Sequence, residues 1–106
     1  MSSSDMNCIW ELLVPTETKS GKAIRTRQHR EWDTRVRKVT GGLTVLQPVR
    51  GQWVTAQGLL TAERMIPVRI ACTEVQINEI SDMTADFYDQ DAMMFYQISD
   101  LSLIHI

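Results

Sequence analysis

The sequence predicts an α+β domain whose elements follow each other in the order β-α-β-β-α-β. Apolar runs typical of strands recur along the chain, and two segments with helical periodicity and opposite charge lie between them. Residues 19–38 hold eight Lys or Arg and two acidic residues, whereas residues 74–100 hold seven acidic residues and no Lys or Arg. A chain of 106 residues has the length of one domain. We therefore predict a single domain over residues 1–106, with residues 1–6 disordered.

The first strand and the first helix are predicted from their apolar spacing. Residues 8–14 place apolar side chains on both faces, which is typical of a central strand. A helix is predicted over residues 26–39 because Trp32, Val36 and Val39 recur at helical spacing. Its first residue is the expected N-cap, since threonine is favoured at that position.

Two strands and a hairpin are predicted in the middle of the chain. Residues 43–54 form the second strand, and Pro48 places it at a sheet edge or at a bulge because proline cannot donate to the ladder. Residues 55–58 form the hairpin connection, and residues 59–72 form the third strand. Pro67 is expected where pairing passes from one neighbouring strand to another.

The second helix has a clear start. Thr73 and Gln76 have the spacing of a capping box, in which each side chain bonds the backbone N–H of the other residue. Residues at helical spacing are predicted to form its buried face: Ile77, Ile80, Met83 or Thr84, and Phe87. The last strand is predicted over residues 92–103.

This order of elements is that of the ferredoxin-like split arrangement. Right-handed crossovers place both helices on one face of a four-stranded antiparallel sheet, in the order 4-1-3-2. The other face is then expected to expose a set of apolar side chains: Ile9, Leu13, Met65, Met93 and Phe95. A contiguous apolar surface marks an interface, so we predict a homodimeric, non-enzymatic binding protein that holds a partner or a small apolar ligand on this face.

Two short motifs link the chain to known proteins. They consist of Gly41, Gly42 and Thr44 ("GG-x-T") and of Gly51 and Trp53 ("G-x-W"). Over residues 40–104 the chain resembles small uncharacterised bacterial proteins of predicted ferredoxin-like fold, in which the first motif follows the first helix and the second precedes the hairpin. The resemblance implies this fold and carries no activity. Trp53 itself is either a packing cap or a platform for a ligand.

An alternative hypothesis is a small cofactor-independent enzyme of the dimeric α+β barrel type. Glu11 is a carboxylate on a largely apolar strand and is the candidate for acid–base catalysis, and the alternative is a tyrosine in a cleft. Arg69, on the same face of the neighbouring strand, is its candidate ion-pair partner. Arg69 and Trp53 are also predicted to belong to the ligand or interface surface of the open face. Cys8 and Cys72 are expected to lie near each other, as a buried reduced pair or as a redox-sensing pair.

A second alternative is a nucleic-acid-associated accessory protein. Clustered cations neutralise phosphates, and the first helix carries six of them: Arg25, Arg27, Arg30, Arg35, Arg37 and Lys38. The third strand lacks the stacking aromatic residues of RNA-recognition domains, and the net charge is −2. The sequence therefore favours pairing of this helix with the acidic helix over nucleic-acid binding.

No motif for a metal ion or a cofactor is recognised. The two histidines and two cysteines lack the spacing of a zinc site, and the acidic run lacks the pattern of a calcium loop. No signal peptide and no apolar stretch of bilayer-spanning length is found. We therefore expect a cytoplasmic protein without metal, cofactor or membrane contact.

Overall fold

The computed structural model describes residues 7–91 and 93–99, and over these residues two helices pack on one face of a five-stranded antiparallel sheet. In chain order the elements are β1 Cys8–Pro15, α1 Thr26–Thr40, β2 Thr44–Val45, β3 Val49–Val54, β4 Leu60–Cys72, α2 Glu74–Phe87 and β5 Phe95–Ser99. The predicted α+β ferredoxin-like class is confirmed. The expected disorder of residues 1–6, together with residue 92 and residues 100–103 of the last predicted strand, lies outside the described residues.

The predicted count of four strands is wrong, because the second predicted strand is divided at Pro48. β2 pairs with β4 at Thr44 opposite Arg69, and β3 begins to pair with β4 at Val49 opposite Met65. Proline has no N–H to donate, so the ladder breaks there. β5 and β4 flank β1, and both β2 and β3 lie on the outer side of β4. If β2 and β3 are counted as one strand, the order is the predicted 4-1-3-2.

Pro67 lies in β4, which pairs with β1 on one side and with β2 and β3 on the other. A proline is tolerated in this central strand because it lies beside the gap between β2 and β3. The N–H of Leu46 donates to the carbonyl of Pro67 at 2.9 Å, so that carbonyl points toward β2. The nitrogen of a strand residue points to the same side as its carbonyl. The missing N–H of Pro67 therefore faces the gap and costs no ladder bond.

The N-cap of helix α1 lies one residue earlier than predicted, and the helix ends at Thr40, one residue beyond the predicted end. Arg25, not Thr26, is the N-cap, and its backbone N–H donates to Oε1 of Gln28 at 3.0 Å. At the other end Gly41 has φ of 85° and donates its N–H to the carbonyl of Arg37 at 2.8 Å. A left-handed residue is favourable there only because glycine has no Cβ.

Helix α2 has the predicted capping box. The N–H of Gln76 donates to Oγ1 of Thr73 at 3.1 Å, and the N–H of Thr73 donates to Oε1 of Gln76 at 3.0 Å. Ile77, Ile80 and Thr84 are buried, as the helical spacing predicts. In α1 the stripe is shorter than predicted, since Val39 is exposed.

The core lies between the helices and the sheet. Its fully buried side chains come from all four central elements: Leu12 and Val14 of β1, Val68, Ile70 and Cys72 of β4, Trp32 and Val36 of α1, and Ile77 and Ile80 of α2. Burying side chains of this size contributes about 1.5–3 kcal/mol each. The core therefore holds both helices on one side of the sheet, and no element of residues 7–91 and 93–99 covers the other side.

Aromatic and polar side chains fill the seam between the helices. Nε1 of Trp32 donates to Oγ1 of Thr84 at 2.8 Å, and Nδ1 of His29 lies 2.7 Å from the hydroxyl of Tyr88. Among the described residues no ion pair joins α1 to α2. The two charged segments meet beyond the helix ends, where Nζ of Lys19 lies 2.9 Å from Oδ1 of Asp91.

Arg35 illustrates this arrangement. Its guanidinium lies 4.8 Å from the ring centre of Phe87 on α2, while its ion-pair partner is Glu31 of its own helix at 3.1 Å. Neither helix, over the part of the chain that is described, is both long and apolar enough to cross a bilayer.

Candidate ligand-binding face

The side of the sheet without helices is called the open face below. Its members follow from the register, because directly opposite residues project to the same side. Glu11 lies opposite Arg69 on β4 and opposite Tyr96 on β5. The same rule assigns to the open face Ile9, Glu11, Leu13, Met65, Arg69, Ala71, Val49, Trp53 and Tyr96.

The register moves Phe95, a predicted member of the open face, to the other side of the sheet. Phe95 lies opposite Leu12, which is fully buried in the core, and its ring stands edge-on to that of Trp10 at 5.9 Å. Met93 also packs against the core. The predicted open-face position of Phe95 is therefore wrong by register, whereas Met93 lies before β5, outside the described ladders. Both side chains still line the edge of the hollow described below. Alternation divides the side chains of β5 into two sets but does not say which set faces the helices. The pairing of β5 with β1 decides which set does.

A polar cluster lies at the centre of the open face. The Glu11 side chain is only 8% exposed, and its Oε1 accepts a hydrogen bond from Nε of Arg69 at 3.1 Å. Its Oε2 accepts a hydrogen bond from the hydroxyl of Tyr96. Both carboxylate oxygens thus have a partner, and the cluster fixes the Tyr96 ring in place. Arg69 is the predicted ion-pair partner, while the acid–base role of Glu11 stays a prediction.

A hollow of about 860 Å³ opens beside this cluster. This volume is within the range of small-molecule sites, about 300–1,000 Å³. Its walls are mostly apolar: Leu13, Pro15, Gly51, Gln52, Trp53, Glu63, Met65, Gln90, Met93, Met94, Phe95 and Tyr96. The structure thus brings the predicted site residues Leu13, Met65, Trp53, Met93 and Phe95 to one hollow.

Ile9 and Arg69, the other two predicted residues of the open face, do not line the hollow. They lie further along the sheet, where Ile9 pairs with Ala71 and Arg69 pairs with Glu11. Tyr96 connects the two regions, since its ring lines the hollow and its hydroxyl bonds Glu11.

Gly51 lines the hollow with backbone atoms alone, because glycine has no side chain. A Cβ atom at this position would lie 2.4 Å from Cε of Met65 and 3.5 Å from Cζ3 of Trp53. The methionine methyl and the indole ring therefore meet above Gly51. This contact gives a physical reason for the "G-x-W" motif, because residues two apart in a strand share a face.

The basic residues of α1 are remote from the hollow. All six are exposed, and α1 covers the opposite side of the sheet. The basic surface and the hollow are therefore separate, and a role for Arg25, Arg27, Arg30, Arg35, Arg37 and Lys38 in nucleic-acid binding stays a prediction.

The two cysteines are neighbours, as predicted. Cys8 lies directly opposite Cys72 in the β1–β4 ladder, and both are reduced thiols. Burial, with a smaller contribution from Cys8, raises the pKa of the Cys72 thiol to about 11. Cys72 therefore stays protonated near neutral pH and is a weak nucleophile.

A titratable cluster in the helix seam was not predicted. Burial lowers the pKa of His29 and raises the pKa of Asp33, while burial and the charge of Asp33 raise the pKa of Tyr88. The position of His29, three residues before the buried Trp32, was the available indication that it faces the seam.

The sequence also did not single out Glu63, Met94 or Tyr96 for the hollow. The predicted turn at residues 55–58 would place Ala62 opposite Gly51, whereas the observed connection is one residue longer and places Glu63 there. Within residues 7–91 and 93–99, no three His, Cys, Asp or Glu side chains come close enough to hold a metal ion.

Comparisons with known proteins show the fold alone. No family model matches the chain, and no curated protein matches it. The solved structures of two divalent cation tolerance proteins are similar. CutA from Archaeoglobus fulgidus has a TM-score of 0.64 at 10% identity, and Cut A1 from Thermus thermophilus has 0.65 at 7%. In both cases 88% of this chain and 82% of the other are covered.

A third similar structure is that of a phage SAM lyase in complex with S-methyl-5′-thioadenosine. Its TM-score is 0.63 at 12% identity, and 88% of this chain and 89% of that chain are covered. At such identities the likeness establishes a shared arrangement of helices and strands and assigns no activity.

Proposed function

We propose that this protein is a non-enzymatic binding protein that associates with itself through the open face and holds a small, largely apolar ligand in the hollow. The observation that carries the proposal is the hollow itself. It has the volume of a small-molecule site, its lining is mostly apolar, and it lies on a sheet face that no helix of the described chain covers.

The exposure of the open face supports self-association. Val49, Trp53 and Tyr96 are each 40–44% exposed on the same side of the sheet, and Ile9, Leu13 and Met65 lie half-buried among them. Water disfavours an apolar surface of this extent, so a second copy that covers it gains the free energy of burial. The two copies would also close the hollow and exclude water from a bound ligand.

The neutral character of the central cluster supports a binding role over catalysis. Each oxygen of Glu11 already accepts a hydrogen bond from a neighbouring side chain, so the carboxylate holds the sheet face together and is not free to move toward a substrate. In the alternative of a cofactor-independent enzyme, Glu11 or Tyr96 acts on a substrate. The hydrogen bond between these two side chains must then break before either can reach that substrate.

The similar structures are consistent with a small ligand. The phage SAM lyase was solved with S-methyl-5′-thioadenosine, so one protein of this architecture holds a small molecule that has an aromatic and an apolar part. The proposal for this chain concerns the same broad class of ligand.

The two reduced cysteines support the predicted cytoplasmic location. Opposite positions in an antiparallel pair have Cα atoms about 4.5–5.5 Å apart, which is within the range for a disulfide. A chain that folds in an oxidising compartment would be prone to bridge Cys8 and Cys72, whereas the cytosol keeps such thiols reduced.

Light scattering with size-exclusion chromatography tests self-association. At micromolar concentration we expect at least twice the chain mass of 12.1 kDa. Val49→Glu, which places a charge on the open face, should weaken association at least about tenfold, because a buried unpaired charge is costly.

Val45→Glu is the matched control. Val45 is also an exposed valine of an edge strand, but it lies opposite Val68 on the helix side. It should leave association unchanged. A monomeric wild-type protein would overturn the assembly, and equal effects of the two variants would overturn its location on the open face.

Nile red, a neutral apolar dye, tests the hollow. We expect its fluorescence to rise on binding to the wild-type protein and Leu13→Asp to abolish the rise. A wild-type protein that does not bind the dye would contradict the proposed ligand site.

A further inference from the structure

Trp53 differs from the other tryptophans in its surroundings. Trp10 and Trp32 are 9% and 1% exposed, and both donate their indole N–H to partners in the core. Trp53 is 40% exposed and lines the hollow. A large ring with one free side in a concave site is a surface on which another flat ring can stack.

The surroundings of Gly51 hold this ring against the sheet. The Trp53 ring and the Met65 methyl meet at the position where a Cβ of residue 51 would lie. We call Gly51, Trp53 and Met65 the platform. The thioether of a methionine is polarizable and packs well against aromatic rings, so the platform presents an apolar surface suited to a planar group.

Glu63 provides the polar edge of the platform. It lies directly opposite Gly51 in the β3–β4 ladder and lines the same hollow. No Lys or Arg of the described chain forms an ion pair with it. A carboxylate accepts hydrogen bonds and donates none, so it attracts N–H groups of a ligand and repels carbonyl oxygens.

We propose that the platform binds a planar nitrogen heterocycle with an exocyclic amine, of the adenine type. The ring stacks against Trp53 and Met65, and the amine donates to Glu63. This inference rests on the proposed function, since it requires that the hollow holds a small ligand. It adds the chemical class of that ligand and the group that selects it.

Adenosine and inosine are the matched probes, because inosine has a carbonyl where adenosine has the amine. Binding is followed by the fluorescence of Trp53, the exposed tryptophan, and by calorimetry. We expect adenosine to quench this fluorescence and to bind at least about tenfold more tightly than inosine, since hydrogen bonds to charged groups are strong. In Glu63→Gln, whose amide can both donate and accept, the two affinities should come within about threefold.

Variants at residue 53 separate stacking from mere apolar contact. Trp53→Phe keeps an aromatic ring and should retain most of the adenosine affinity, whereas Trp53→Leu should lose about tenfold or more, because stacking on a ring contributes about 1–3 kcal/mol per base. Gly51→Ala should also weaken binding, because its Cβ displaces the Met65 methyl. Unfolding midpoints near that of the wild type identify the variants that remain folded.

Equal binding of adenosine and inosine to the wild-type protein, or an unchanged affinity in Trp53→Leu, would overturn the platform. Nile red distinguishes this failure from a failure of the proposed function. A protein that binds Nile red but not adenosine keeps the hollow as a ligand site and loses the platform. A protein that binds neither probe loses both.

Discussion

At the scale of single residues, His29 shows how burial couples a side chain to pH. Its Nδ1 is 2.7 Å from the Tyr88 hydroxyl, and its pKa is lowered because the seam desolvates the imidazolium, although Asp33 partly offsets this. The folded chain therefore holds the neutral ring at a pH where the unfolded chain already binds a proton.

We predict that the free energy of unfolding falls as the pH is lowered from 7 to 5, and that His29→Gln reduces this fall. Below the ordinary histidine pKa of 6.5 the unfolded state binds more protons than the folded state, so acid favours unfolding. Urea unfolding of both proteins at the two pH values measures the difference.

Asp33 makes stability depend on pH in the opposite direction from His29. Its pKa is raised by burial, so its contribution to stability is present below 3.8 and is lost as the pH rises through the folded-state pKa. The comparison of wild type with His29→Gln isolates the histidine, because both proteins keep Asp33. Equal pH dependence in the two would show that His29 does not titrate in this way.

At the scale of elements, the helix starts show which local patterns are decisive. Thr73 and Gln76 bond each other's backbone N–H groups, and this pair begins α2. At α1 the corresponding hydrogen bond runs from Arg25 to Gln28, so the threonine at position 26 is already the first helical residue. Thr26 has a side chain that is favoured at an N-cap, but it lies one residue after the actual N-cap, Arg25.

We predict that Thr73→Ala lowers the free energy of unfolding by about 1 kcal/mol, because it removes the acceptor for the N–H of Gln76. Thr26→Ala should change it by less than about 0.5 kcal/mol, as for other exposed positions away from special features. Urea unfolding at pH 7 compares the two. A larger effect at Thr26 than at Thr73 would contradict the assignment of the caps.

At the scale of the whole molecule, both helices lie on one side of the sheet, and the described part of the chain leaves the other side uncovered. Self-association through the open face would make stability depend on protein concentration, because a contact made only in the folded state stabilises that state by mass action.

We predict that the midpoint of thermal unfolding rises by several degrees over an about hundredfold increase in protein concentration, as expected for a domain of this size. Val49→Glu should show a much smaller rise, and Val45→Glu should behave like the wild type. Scanning calorimetry at several concentrations measures this. A wild-type midpoint that is independent of concentration would argue against association.

The sequence predicted those parts of the structure that depend on neighbouring residues in the chain. The helices, the hairpin that follows Val54 and the capping box of α2 arise from local spacing and backbone preferences. The candidate site was predicted in part. Leu13, Met65 and Trp53 follow from alternation, whereas Tyr96 and Glu63 reach the hollow through strand pairing.

By itself the sequence determined the order of elements and therefore an α+β fold with a helix-free face, because apolar periodicity and chain handedness leave few alternatives. Only the tertiary structure decided the division of the second strand, the face of β5 and the partners of Glu11. Each of these depends on which residues of distant strands lie opposite each other, and a shift of one position sends a side chain to the other side of the sheet.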